Sequence, residues 1–98
     1  MIRHIVLFKY NDGLTQEDPE VAATRQALTD LGPTLPIVRG WEVRQCFGDQ
    51  AVSHDLILLA QFDTRADLAA YAVDPEHQKV IVQLDRIADR KAVADFEV

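Results

Sequence analysis

"LILLAQFDTRADLAAYAVDPEHQKVIVQLDRIA", residues 56–88, decides the fold of this chain. Leu56 to Phe62 is apolar on both of its alternating faces, the pattern of a strand buried in the middle of a sheet. Asp63 ends it. Thr64 then caps a helix with Asp67 in its first turn, and Leu68, Tyr71 and Ala72 share one face of that helix. At Asp74-Pro75 the helix stops and restarts: Asp74 caps the new segment and Pro75 takes its first position. Val80, Ile81, Leu84, Ile87 and Ala88 follow at the spacing of a buried stripe.

Outward from this segment the same periodicities place the other elements. Ile2 to Tyr10 is an apolar, β-branched run closed by Asn11-Asp12-Gly13, so it reads as a first strand ending in a turn. A helix follows, with Thr15 or Asp18 as its cap, Pro19 in the first turn, Val21, Leu28 and Leu31 on its stripe, and Gly32-Pro33 as its stop. "GWEVRQCF", residues 40–47, sets Trp41, Val43 and Phe47 against Glu42 and Arg44, a strand wet on one face. "KAVADFEV", residues 91–98, sets Ala92, Ala94, Phe96 and Val98 against Asp95 and Glu97.

The order is βαββαβ in a single domain over residues 1–98, an α+β chain. Strands one and three are apolar on both faces and belong in the middle of a four-stranded antiparallel sheet, with the alternating strands two and four at its edges. This predicts a ferredoxin-like protomer with its helices on one face. The other sheet face also needs cover, and a second copy supplies it, predicting a homodimer whose sheets form an α/β barrel.

Composition narrows the function. Sixteen acidic against ten basic residues give a net charge of −6, which repels phosphate backbones and anionic lipid, so neither nucleic acid nor a membrane is an expected partner. The one cysteine, Cys46, excludes an intrachain disulfide and suits a reducing cytoplasm. The "MIRHIVLFKY" start reads as a strand rather than a targeting signal.

Three stretches, "RHIVLFKY", "SHDLILLAQFDTRADLAAYAVDPEHQKV" and "AVADFEV", resemble the stress-responsive dimeric α/β-barrel (Dabb) family along nearly the whole chain and in the same order. The resemblance implies a sheet-to-sheet homodimer with a pocket between sheet and helices in each protomer. Members with assigned chemistry include a polyketide cyclase and a hydroxynitrile lyase of plants. Wider relatives include cofactor-free monooxygenases, lactone isomerases and haem-degrading enzymes. Cyclase-like members pair a tyrosine with a histidine six residues later, as Tyr71 and His77 do, and carry histidines where His4 and His54 fall. Asp74 departs from the histidine that some members place before the proline.

The residues themselves support a site at the break. His77 shares the stripe of Ile81 and Leu84, and both burial and the adjacent helix N-terminus disfavour its charge, predicting a neutral imidazole that can act as a base. Six residues along one unbroken helix would turn His77 about 240° from Tyr71. The break frees each to point inward, where a phenol and an imidazole can bind a carbonyl oxygen and remove the neighbouring proton.

His4, Val6 and Phe8 share one face of strand one and are expected to line the pocket; His54, beside Asp55, joins them as a substrate-binding candidate with a turn hydrogen bond as its structural role. The histidines lack ligand spacing, so no metal or cofactor is expected. The sequence therefore predicts a homodimer with an apolar pocket, acting as a cofactor-free lyase, cyclase or isomerase on a small carbonyl compound through Tyr71 and His77. A non-enzymatic stress-response or ligand-binding module is the alternative, with haem handling or cofactor-free monooxygenation behind it.

Overall fold

The computed structural model describes residues 1–98. Strand β1 spans Ile2–Lys9, helix α1 Pro19–Leu31, β2 Val38–Gln45, β3 Leu56–Phe62, α2 Arg65–Ala72, α3 Pro75–Ile87 and β4 Arg90–Glu97. The strands pair antiparallel in the order β2-β3-β1-β4. The doubly apolar strands are central and the alternating ones lie at the edges. This is the ferredoxin-like arrangement, with the second helical segment of the βαββαβ order split into α2 and α3.

Register fixes what each face carries. On the helix side, Ile2, Val6 and Phe8 of β1 lie across from Phe62, Leu58 and Leu56 of β3, and all six are buried. Val21 and Leu28 of α1 and Val80, Leu84 and Ile87 of α3 close over them. Each such side chain contributes about 1.5–3 kcal/mol when taken out of water. On the opposite face, Ile5 and Leu7 lie beside Leu59 and Ile57 and beside Ala94 and Ala92, with no helix above them. Those four larger residues are only half-buried, and Phe96, next to Arg3 on the same face, is exposed.

Helix α1 meets the sheet through a close approach. A Cβ on Gly32 would lie 2.1 Å from Cγ of Trp41, so only glycine leaves room for the indole, whose Nε1 donates to the carbonyl of Leu28 at 3.0 Å. Trp41 thereby packs against the core from an edge strand.

Gly32-Pro33 ends α1 after Leu31, as expected, and a 3-10 turn carries the chain through Thr34. Three local expectations change. Asp18 occupies the N-cap position of α1, yet its carboxylate accepts from the Thr15 amide at 2.6 Å rather than from the helix. Strand β2 runs from Val38 to Gln45, so Phe47 lies beyond it and is 99% exposed. Ala72 is exposed because α2 ends there and its stripe narrows to Leu68 and Tyr71. No helix is long and apolar enough to cross a membrane.

Candidate functional site

The site is organised by the corner between α2 and α3. Thr64 caps α2 by accepting from the Asp67 amide at 3.1 Å. Asp74 caps α3 by accepting from the amides of Glu76, at 2.8 Å, and His77, at 3.3 Å. Gln78 reaches back to donate to the carbonyl of Ala72 at 2.6 Å, so both sides of the corner are tied together. Pro75 supplies the fixed φ that a first helical position needs.

This corner brings Tyr71 and His77 face to face, with ring centroids 3.9 Å apart and planes 27° from parallel. Tyr71 is 2% exposed and also meets Phe62 at 5.1 Å, His4 edge-on at 5.7 Å and Trp41 edge-on at 5.9 Å. The register explains its seat. Trp41, Ala60, His4 and Asp95 form one row across the sheet, and Ala60 is the small member between the two rings.

Beneath the corner lies a cavity of about 110 Å³. Its floor and walls include His4, Val6, Phe8, Tyr71 and His77. Ile81 and Asp85 of α3 and Lys91 and Val93 of β4 complete the side toward solvent. His54 is not brought to it: its ring lies in the β2–β3 connection, with Nδ1 3.3 Å from the carbonyl of Val52.

Electrostatics separate the two central groups. Burial pushes the Tyr71 phenol up, so it stays protonated and is a donor. Burial pushes the His77 imidazole down, against a smaller opposing pull from the carbonyls of Ala72 and Tyr71. Its Nδ1 is buried without a hydrogen-bond partner. His4 Nδ1 pairs with Oδ1 of Asp95, directly opposite in β4. A carboxylate accepts, so the facing nitrogen carries the hydrogen.

Asp95 was not a candidate in the sequence, because its place in an alternating strand reads as the solvent side; only the β1–β4 register reveals its partner. Ile81, Asp85, Lys91 and Val93 line the cavity from α3 and β4, a juxtaposition that no local sequence pattern signals. No group of three or more His, Cys, Asp or Glu side chains is placed to hold a metal ion. At about 110 Å³ the cavity is smaller than a macrocycle such as haem requires.

Residues 2–98 match the family described as the Stress responsive A/B Barrel Domain, or Dabb. The chain belongs to the Dabb family. A Streptomyces coelicolor protein without assigned function is 33% identical over 97 residues, covering 99% of each chain. Among solved structures, a dimeric ferredoxin-like protein of unknown function from Thermobifida fusca superposes with a TM-score of 0.85 at 25% identity, covering 99% of this chain and 90% of that one. A hydroxynitrile lyase from Passiflora edulis shares the Dabb chain's fold at 18% identity and a TM-score of 0.83, covering 99% of this chain and 92% of that one.

Proposed function

We propose that this Dabb chain is a cofactor-free lyase, cyclase or isomerase acting on a small carbonyl compound, working as a homodimer in the cytoplasm. The observation that carries this reading is the stacked Tyr71–His77 pair on a shared, mostly apolar cavity. The opposed displacements of the two groups suit opposite tasks. Tyr71, held protonated, donates to the carbonyl oxygen and to the negative charge that develops there. His77, held neutral, takes a proton from the carbon next to the carbonyl and returns it to the product, or takes it from a hydroxyl whose deprotonation forms the carbonyl as the adjacent carbon–carbon bond breaks and gives it to the departing carbanion. His4, oriented by Asp95, presents its second ring nitrogen on the same wall.

Homodimerisation is supported by the apolar open face of the sheet and by the dimeric state of the Thermobifida fusca relative. Covering a few hundred square ångströms of such a face adds several kcal/mol at roughly 25 cal/mol per Å².

Screening turnover against β-keto, phenolic and hydroxynitrile compounds tests the chemistry. Tyr71→Phe and His77→Ala should each retain the wild-type circular dichroism spectrum while lowering kcat at least about a hundredfold. Unchanged rates in both variants would dismiss the assignment, and ligand-induced stabilisation without turnover would favour a binding module instead.

A further inference from the structure

The rim of the cavity carries charge that the proposed proton transfer does not use. Lys91 lines the cavity yet is exposed, so it stands where the cavity opens to solvent, on the strand edge facing α3. Its ammonium is free. The ion pairs of the fold join His4 with Asp95, Arg39 with Asp63, Arg44 with Glu42, Arg65 with Glu97, Lys79 with Glu76 and Arg90 with Asp89. Asp85, exposed on the α3 side of the same rim, is also in none of them.

We infer that Lys91 is a specificity-determining residue that binds the carboxylate of an oxo acid whose carbonyl reaches Tyr71, which rests on the reading of the cavity as a carbonyl site. A pocket that is apolar apart from a few placed polar groups orients its ligand through those groups. Here the floor groups are His4, Tyr71 and His77, and Lys91 is the sole fixed cation on the walls. The net charge of −6 disfavours anions at long range, but that field is screened within about 10 Å, leaving the local ammonium to decide.

Spacing selects among oxo acids. Lys91 lies opposite Phe8, whereas Tyr71 sits over the His4 row, four residues along β1. At ~3.3 Å per residue the two rows are about 13 Å apart. The flexible four-carbon stem of lysine spans part of that separation. A short carbon chain must span the rest, so carboxylate and carbonyl are separated, as in a γ-oxo acid, rather than adjacent as in a 2-oxo acid. Asp85 opposes the carboxylate from across the rim and weakens its binding.

Nuclear magnetic resonance titration of the intact protein with 4-oxopentanoate and its neutral isostere 4-oxopentanamide tests this. The oxo acid should bind about fivefold more tightly than the amide, the scale of one exposed ion pair. Lys91→Met should abolish that preference without changing the affinity for the amide, and Asp85→Asn should strengthen binding of the acid alone. Equal binding of the two probes, or a preference that survives Lys91→Met, would overturn the role of Lys91 and leave the carbonyl site standing. If neither probe perturbs Tyr71 or His77, the carbonyl site falls together with the inference.

Discussion

The two faces of one sheet solve the burial problem differently. The helix-covered face buries Ile2, Val6, Phe8, Leu56, Leu58 and Phe62 within its own chain and, at its β1–β4 side, holds the imidazole of His4 against Asp95. The open face carries Ile5, Leu7, Ile57 and Leu59 beside the exposed Phe96, with no element of the same chain above. The proposed chemistry uses the face the chain closes for itself, where helices fix ring positions. The proposed association uses the face it leaves uncovered.

Neighbouring residues of β3 can break that distinction most sharply. Leu58, 2% exposed, points to the helices, while Leu59 points to the open face. Leu58→Ala should lower unfolding free energy by about 3 kcal/mol in urea titrations, because it leaves a cavity in the closed core. Leu59→Lys should leave the protomer folded while shifting sedimentation from dimer toward monomer. Equal losses of protomer stability in both variants would erase the contrast.

The corner on the closed face gives a smaller effect. Asp74→Ala removes the acceptor of two amides at the start of α3 and should destabilise the fold by about 1 kcal/mol. Because one of those amides is that of His77, the substitution should also move the imidazole resonances of His77, whereas alanine at an uncapped surface position should not.

The smallest effect is one of pH. His77 titrates below its ordinary 6.5 when folded, so on acidification the unfolded chain takes up a proton first. Stability attributable to His77 is complete above that ordinary value and falls as pH drops beneath it. Thermal unfolding between pH 7.5 and 5 should show Tm declining, and His77→Phe should flatten the decline. Tyr71 acts at the other extreme: with its phenol held protonated in the fold, stability falls as pH rises past 10.

Much of this architecture is legible in hydrophobic period alone. Leu56 to Phe62 announces a central strand, and Thr64, Asp74 and Pro75 mark helix boundaries by chemistry local to the backbone. Phe47 misleads because alternation continues in sequence after strand pairing has ended. The site is legible where local geometry governs it, as for Tyr71 and His77 around their corner, and for Val6 and Phe8 on one strand face. It is illegible where contact depends on register between distant strands. Asp95 is 91 positions from His4, and nothing near either residue signals the other. His54 shows the converse: proximity to β3 in sequence does not carry its ring to the cavity, because a local carbonyl holds it in the loop.

The close approach that Gly32 permits also has a spectroscopic consequence. Trp41 is the chain's one tryptophan, and its ring lies edge-on to Tyr71 at 5.9 Å. Its emission therefore arises from a single position, one ring removed from the cavity through Tyr71. The protein carries its own fluorophore against a ring that lines the cavity, so a displacement of Tyr71 can be followed in unlabelled material by exciting the indole alone.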